Sequence, residues 1–203
     1  MHKNLGLHFS TQRLIIRPLE ENDYESWLSG FVNRKPSQYR HDKGQVDMSD
    51  ATEPWFAAMV TRQQQAIEAD DLYIFGIFDK AHQHIGMLNI KNLSRDQFQW
   101  AEIGYFIHNQ YWHQGLAYEA LTELVKQTRD TLHFHRIEAH INLDNNPSIQ
   151  LIEKLGFQFE CVRKGFIFEN EQIIMCIIST HMIIIYKRRS RKEGVSTWLN
   201  LES

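Results

Sequence analysis

The most informative residues of this 203-residue chain lie in the segment Tyr111–Ala120, which reads Tyr-Trp-His-Gln-Gly-Leu-Ala-Tyr-Glu-Ala. A strand is predicted before it, and Gly115 stands where a long helix is predicted to begin. The first N–H groups of a helix have no partner within it, and the helix dipole adds partial positive charge there. Phosphate oxygens fit such a site, and glycine lets them approach the backbone. The segment therefore predicts a phosphate-binding loop, with a glycine that merely starts a helix as the alternative.

Two pairs of histidines have a spacing that is compatible with metal binding. His82 and His84, and likewise His133 and His135, are separated by one residue, which puts both rings on one face when the segment is a strand. Both pairs fall in segments that the sequence predicts to be turns. We therefore expect solvated histidines there and no metal site.

Hydrophobic periodicity predicts the elements that position these residues, in the order β-α-α-β-β-β-α-β-α-β-β. Strands are predicted at residues 13–19, 72–78, 85–90, 98–107, 136–143, 157–168 and 173–186. Helices are predicted at residues 20–31, 54–69, 115–132 and 147–155. Strands of antiparallel type followed by a β-α-β crossover indicate an α/β (α+β) fold, with a mixed, mostly antiparallel sheet and helices on both faces.

The composition excludes several classes of protein. Hydrophobic residues make up 42% and charged residues 23% of the chain, as in ordinary globular proteins. The net charge of −3 argues against a general nucleic-acid binder, which carries a basic excess. The two cysteines, Cys161 and Cys176, lack the spacing of a zinc knuckle or a disulfide framework.

The termini carry no predicted targeting segment. Residues 1–10 have no apolar core of a signal peptide, and the apolar stretch 173–186 is shorter than the ~20 residues of a membrane helix. We expect a cytoplasmic enzyme with one domain over residues 1–203, its core at about 11–187 and a tail at 188–203.

Four segments together resemble the GNAT acetyltransferase superfamily, in particular its RimJ/RimL group of ribosomal-protein N-terminal acetyltransferases. They are Thr11–Leu19, Ala101–Ile107, Trp112–Leu121 and His135–Phe157, which resemble the first strand, the strand before the acetyl-CoA loop, the pyrophosphate loop with its helix, and the second CoA-contacting strand and helix. The order and spacing of the segments carry the resemblance. One departure is His113, which stands where glycine is frequent; if this position needs a positive φ, histidine fits at a cost.

The resemblance implies a twisted sheet that splays between its fourth and fifth strands, residues 98–107 and 136–143, with acetyl-CoA as cosubstrate in the opening. The main chain of the fourth strand would hold the pantetheine, and the loop Gln114–Ala117 would hold the pyrophosphate. The residues expected to contact the cofactor are Ile103, Tyr105, Ile107, Trp112, His113, Gln114, Gly115, Leu116, Ala117, Asn142, Asn145 and Ser148.

Acetyl transfer to an amine requires a base for the ammonium and a group that protonates or stabilises the leaving thiolate. We expect Glu102 to be the base, because its apolar neighbours raise a carboxyl pKa; an outward-facing strand residue or an arginine partner is the alternative. Ser148 is the candidate donor to the CoA sulfur, with a local helix cap as the alternative. Many GNAT enzymes use a tyrosine of this helix as the acid, and residues 148–152 contain none.

The predicted acceptor is a primary amine that attacks the thioester directly. A protein N-terminus, a polyamine and an aminoglycoside all stay open, and the polar loop 33–50 with the helix after it is expected to set the choice. Glu68, Asp70 and Asp71 form an acidic cluster that either attracts a cationic amine or ends a helix in solvent. An acyl-CoA-binding sensor or interaction module with weak catalysis is the alternative function. Monomer and homodimer stay open, and we expect no direct nucleic-acid or membrane partner.

Overall fold

The computed structural model describes the backbone of residues 6–169 and 172–183, and side chains as far as residue 166. The strands are β1 (Phe9–Ser10), β2 (Leu14–Arg17), β3 (Leu72–Asp79), β4 (His84–Ser94), β5 (Trp100–Ile107), β6 (Arg136–Asn142), β7 (Gln158–Glu169) and β8 (Gln172–Ile183). The helices are α1 (Tyr24–Val32), α2 (Glu53–Glu68), α3 (Leu116–Asp130) and α4 (Asn146–Lys154). The predicted order of elements is confirmed, and β1 is a short addition to it.

The strands form one sheet in the order β1-β2-β3-β4-β5-β6-β8-β7. Neighbouring strands are antiparallel except β5 and β6, which are parallel because α3 crosses between them. Within the described residues, β5 and β6 pair from Trp100 opposite Arg136 to Glu102 opposite Glu138 and not beyond. The two strands then separate, so the predicted splay is confirmed.

Alternating strand residues divide the core into two layers. Ile15 and Ile16 are neighbours on β2, and their side chains point to opposite faces of the sheet. Ile16 belongs to the larger cluster, which includes residues of α3 and α4, whereas Ile15 packs against the smaller cluster, which includes Trp27 of α1 and Phe56 of α2. Helices therefore cover both faces, as predicted. We call these the α3/α4 face and the α1/α2 face.

The clearest correction to the sequence analysis concerns one of the paired histidines. His84 was expected in a solvated turn, but it begins β4 and is 1% exposed. It lies against the buried His108, with 2.9 Å between ring nitrogens. Burial lowers the pKa of His84 to about 3 and that of His108 to about 2, so both rings are neutral. The exposed residues His82, His133 and His135 are solvated as predicted, and the described chain holds no cluster of three or more potential metal ligands.

Smaller differences concern the ends of elements. Phe98 was assigned to a strand, but it lies in the turn before β5. Cys161 is a free cysteine, while the side chain of Cys176 lies outside the described part of the chain, as do the predicted strand end at 184–186 and the predicted tail at 188–203. None of the described helices is long and apolar enough to cross a membrane.

Candidate active site

The separation of β5 from β6 exposes one edge of the β5 main chain. The His108 N–H donates to the Ile85 carbonyl at 2.9 Å, just beyond the end of the β4–β5 pairing. Because hydrogen-bonded pairs alternate along an antiparallel ladder, the even-numbered residues of β5 bond to β4. The odd-numbered residues of β5 therefore turn their main-chain groups toward β6, where the Ile103 N–H belongs to the last pair of the parallel ladder. Beyond that pair, the main-chain groups of Tyr105 and the Ile107 N–H face the opening, where the sequence analysis expected a cofactor.

The loop after β5 has the backbone geometry of an anion site. Gly115 has a φ of 75°, and α3 begins after it without a hydrogen bond from a capping side chain. A Cβ atom on Gly115 would have the Arg13 guanidinium at 3.6 Å as its nearest neighbour, so no other group crowds the backbone there. The first N–H groups of α3, including those of Leu116 and Ala117, lack helical acceptors. His113 has a φ of 61°, so this position does require the left-handed conformation in which histidine is costly.

Three side chains hold this loop in place, and the sequence analysis had assigned only Trp112 among them. Trp112, expected to contact the cofactor, donates its indole N–H to the Ile107 carbonyl at 2.7 Å. Arg13 Nη1 donates to the Gln114 carbonyl at 2.8 Å, and Arg13 Nε donates to Glu119 Oε2 at 2.6 Å. Glu119 lies in the first turn of α3, where a carboxylate also complements the helix dipole. Arg13 and Glu119 are far apart in the sequence, which is why periodicity did not reveal their contact.

Two hydroxyl groups meet at the start of α4. The Ser148 Oγ and Tyr105 Oη atoms are 2.6 Å apart, and either group can donate. Asn145 is the helix cap, since its side chain accepts from the Ser148 N–H at 3.4 Å. Burial raises the pKa of Tyr105 to about 12, so the phenol keeps its proton. β5 thus brings a tyrosine hydroxyl to the helix whose residues 148–152 contain no tyrosine.

Asn142 at the end of β6 offers an acceptor to a bound molecule. Its Oδ1 atom is buried and accepts no hydrogen bond from the protein, while its Nδ2 atom lies 3.4 Å from His41 Nδ1. An unsatisfied buried acceptor is costly, and a ligand with an N–H group would satisfy it. The predicted contact of Asn142 with the cofactor would satisfy this acceptor, and it stays a prediction.

Glu102 lies where β5 and β6 separate, on the α1/α2 face. Its Oε1 atom is 3.0 Å from His140 Nδ1, and its side chain is 30% exposed. The hydrogen bond from His140 lowers the pKa of Glu102, and the same contact raises the pKa of His140. The expected increase in the carboxyl pKa was wrong, because a histidine on the neighbouring strand outweighs the apolar residues of β5. Nor is Glu102 simply paired with an arginine.

A second carboxylate lies on the other side of His140. Glu138 Oε2 is 3.2 Å from His140 Nε2 and 3.1 Å from Arg163 Nη2, and Glu138 Oε1 accepts from Arg136 Nε at 2.8 Å. Arg136 also pairs with Glu160. The side chain of Glu138 is 1% exposed, and a carboxylate so deeply buried requires several such partners. The sequence analysis missed both Glu138 and His140, although their alternation along a strand places them on one face.

The loop 33–50 connects the two sides of the opening. The Tyr39 ring centroid is 5.6 Å from that of Trp112, which follows β5. His41 Nε2 and Arg40 Nη1 are each 2.7 Å from an oxygen of Asp144, which follows β6. The loop therefore borders the opening, and its expected role in acceptor selectivity stays a prediction.

Buried polar contacts fix the base of this loop. Asn109 Nδ2 donates to Asp42 Oδ2 at 3.0 Å and to the Lys35 carbonyl at 2.8 Å. Arg34 Nε donates to His108 Nδ1 at 3.0 Å. These contacts tie the loop to the residues that follow β5.

Within the predicted acidic cluster, Asp70 is already engaged by other side chains. Asp70 accepts from Arg95 Nε at 2.7 Å and also from Tyr73. The hydrogen bond from Arg95 lowers the pKa of Asp70, and the ion pair neutralises its charge. Asp70 instead fixes the segment between β4 and β5, through Arg95.

Comparison with known proteins places this geometry in context. The family profile described as Acetyltransferase (GNAT) domain matches residues 13–158. "Probable N-acetyltransferase YjcK" of Bacillus subtilis is 30% identical over 171 residues, which cover 79% of this chain and 92% of that protein. The ribosomal protein uS5-alanine N-acetyltransferase of Escherichia coli is 26% identical over 168 residues, which cover 82% of this chain and 86% of that protein. Mycobacterium smegmatis RimJ in complex with CoA-disulfide has the same fold, with a TM-score of 0.69 at 18% identity, covering 84% of this chain and 81% of that one.

The Glu102–His140 contact predicts a pH-dependent stability. The raised pKa of His140 stabilises the fold fully below its ordinary pKa of 6.5, and this contribution is lost as the pH rises through the folded value. The lowered pKa of Glu102 contributes above its ordinary value of 4.5 and is lost as the pH falls through the folded value. We expect His140→Gln to lower the free energy of unfolding more at about pH 5.5 than at about pH 9. Urea denaturation measures this difference, with the exposed His8→Gln as control; equal losses at both pH values would contradict the prediction.

Proposed function

The chain belongs to the GNAT acetyltransferase family, and on this premise we propose that it acetylates the α-amine of a protein N-terminus in the opening between β5 and β6. It is an acetyl-CoA-dependent N-acetyltransferase. The proposed site rests on one observation, namely that three features border the same opening. They are the exposed main-chain edge of β5, the open loop at Gly115, and the hydroxyl pair of Tyr105 and Ser148.

Main-chain groups are proposed to hold most of the acetyl-CoA, and the residues present fit it. The odd-numbered residues of β5 offer donors and acceptors for the amides of the pantetheine arm, and Asn142 Oδ1 offers a further acceptor. The N–H groups at the start of α3 suit the pyrophosphate, and the Arg13 guanidinium, which pairs with Glu119, lies beside Gly115. Because main-chain groups supply these contacts, the unusual side chain of His113 does not prevent them.

The two proposed proton-transfer groups lie on opposite faces of the sheet. Acetyl-CoA supplies the acetyl group as a thioester, from which the amine displaces the thiol. Glu102 is on the α1/α2 face, whereas Tyr105 packs against the cluster on the α3/α4 face, where it meets Ser148. An amine that enters from the α1/α2 face meets Glu102, which takes its proton, while the hydroxyl pair donates toward the sulfur from the other side.

Charges around the entrance favour a protein α-amine over a polyamine. The two carboxylates that tie loop 33–50 to the ends of β5 and β6 are already engaged: Asp42 accepts from Asn109 and from the Gly44 N–H, and Asp144 pairs with Arg40 and His41. A polycation needs free carboxylates, whereas an α-amine carries a single charge and ionises at a pKa of about 7.7–8. The named activity of the Escherichia coli relative, on a ribosomal protein, points the same way. For such an acceptor we propose that the enzyme works in the cytoplasm.

Catalysis, rather than sensing alone, is supported by the same geometry. The sensor alternative depended on the missing tyrosine and on His113. Tyr105 provides a protonated phenol beside Ser148, and His113 adopts the required left-handed backbone. The curated relatives reported above are also named as N-acetyltransferases.

Gly115→Glu should abolish the increase in melting temperature that acetyl-CoA causes. A ligand that binds only the folded state stabilises it, and the variant places a carboxylate beside the phosphates. Thermal denaturation with and without acetyl-CoA measures the effect. Gly6→Glu is a matched control, since Gly6 also has a positive φ and has nothing near its Cβ position. A full increase in Gly115→Glu would place the phosphates elsewhere.

Glu102→Gln should lower kcat by about 10²–10⁴-fold while acetyl-CoA affinity stays nearly unchanged, because Gln keeps the shape but takes no proton. Steady-state kinetics and calorimetric titration measure the two quantities. The melting temperature must be measured as well, since the variant loses the charge that pairs with His140. A folded variant that keeps most of its kcat would exclude Glu102 as the group that takes the amine proton.

Peptides with the N-terminal sequence of ribosomal protein S5, beginning with a free alanine, should release CoA from acetyl-CoA. We expect their kcat/KM to exceed that of spermidine and of an aminoglycoside by about tenfold or more, because only their single charge suits the entrance. The same peptide with a blocked N-terminus is the control and should give no release. Faster turnover of spermidine would contradict the proposed acceptor class.

A further inference from the structure

The His140 ring lies between two carboxylates on the face where the amine is proposed to enter. Nδ1 is 3.0 Å from Glu102 Oε1, and Nε2 is 3.2 Å from Glu138 Oε2. The ring is covered edge-on by Phe166, with 5.0 Å between centroids, and its side chain is 6% exposed. Glu102 is the most exposed of the three side chains, so solvent and substrate reach the group through Glu102.

The two carboxylates determine where protons reside on the ring. A carboxylate only accepts, so both contacts are hydrogen bonds only when both ring nitrogens carry protons. In a neutral ring with its proton on Nε2, bonded to Glu138, the Nδ1 lone pair faces the negative Oε1 of Glu102. Uptake of a proton between Nδ1 and Oε1 replaces this repulsion with a charge-assisted hydrogen bond.

We propose that the proton of the acceptor ammonium passes through Glu102 to His140 Nδ1, and that Glu138 is a positioning residue that holds the ring for this transfer. The inference rests on the proposed function. In the step, one N–H bond of the ammonium breaks and an Nδ1–H bond forms, while Glu102 is a carboxylate before and after it. The amine lone pair becomes free for attack, and the second amine proton leaves with the thiol. The imidazolium returns its proton to solvent through Glu102.

Glu102 by itself is a poor base, because the hydrogen bond from His140 lowers its pKa. Glu102 and His140 together form a better base than Glu102 alone. The hydrogen bond to Glu102 raises the pKa of His140 above its ordinary value, with further help from Glu138 and against the effect of burial. A general base is most effective when its pKa lies near the working pH. The raised pKa of His140 brings the pair closer to the pKa of an α-amine than Glu102 is by itself.

Substitution of neighbouring charged residues should shift the pKa of His140 in either direction. Glu138 raises the pKa of His140, whereas Arg163 on β7 lowers it. The other titratable or charged residues that contact these groups or oppose them in the sheet register are Lys91 of β4, Arg136 of β6, Glu160 of β7 and His181 of β8. Removal of Glu138 and removal of Arg163 should therefore have opposite effects.

The test combines the pH profile of kcat with the titration of His140 by NMR, using the full chain with labelled histidine and one unblocked peptide acceptor. In wild type we expect the pKa of His140 to lie above 6.5, and we expect kcat to fall with decreasing pH over the same range, as the acidic limb of its pH profile. His140→Gln should lower kcat about tenfold or more near pH 7, with a smaller loss at high pH where the amine is already neutral. Glu138→Gln should move both the limb and the titration to lower pH, and Arg163→Met should move both to higher pH. His8→Gln should change neither.

The outcomes separate a proton relay from a structural role. If the cluster has only a structural role, the variants lower stability or kcat, but Glu138→Gln and Arg163→Met do not move the acidic limb in opposite directions. If Glu138→Gln does not fold, Arg163→Met and the NMR titration still decide. A His140 that titrates at or below 6.5, or a His140→Gln variant with an unchanged profile, overturns the relay. Failure of wild type to release CoA with any amine contradicts the proposed function instead.

Discussion

The separation of β5 from β6 beyond the Glu102–Glu138 pair is the constraint on which the other features of the molecule depend. Parallel neighbours require a crossover, and α3 supplies it. Once the strands part, the main-chain groups of Tyr105 and the Ile107 N–H lose the partners that an unbroken sheet would give them. The Ile107 carbonyl accepts from Trp112 instead. Main-chain groups need hydrogen-bond partners, so this edge is stable only where solvent or a ligand provides them. The fold thus creates a binding site by leaving a ladder incomplete.

The same separation explains the charged side chains at the point where β5 and β6 diverge. Glu102 and Glu138 occupy opposed positions on adjacent strands, and two carboxylates so placed repel each other. His140 lies between them and contacts both, while Arg136 and Arg163 neutralise the buried member of the pair. The cluster therefore holds the strands together at the last residues where they pair. It also leaves the exposed carboxylate of Glu102 beside the opening, where an amine would have to give up a proton.

Sequence reasoning predicted the fold well, since periodicity and turn residues are local signals. The helix after Gly115 and the strand predicted at 98–107, which forms as Trp100–Ile107, follow from side-chain patterns alone, and the resemblance to a family located the opening. Contacts between distant segments were not predictable in this way. Three features depend on which elements the sheet brings together: the Arg13–Glu119 ion pair, the Tyr105–Ser148 hydroxyl pair and the burial of His84. The pKa of Glu102 was misjudged for the same reason, because its nearest polar partner comes from another strand.

The central claim is that acetyl-CoA lies along the free edge of β5, and amide hydrogen exchange measured by NMR tests it most directly. On addition of acetyl-CoA, the account predicts slower exchange at the odd-numbered Tyr105 and Ile107 and at the first amides of α3. The even-numbered Gly104 and Phe106, already bonded to β4, should change little. Protection that skips the odd-numbered residues of β5 and appears on another part of the sheet would contradict the account.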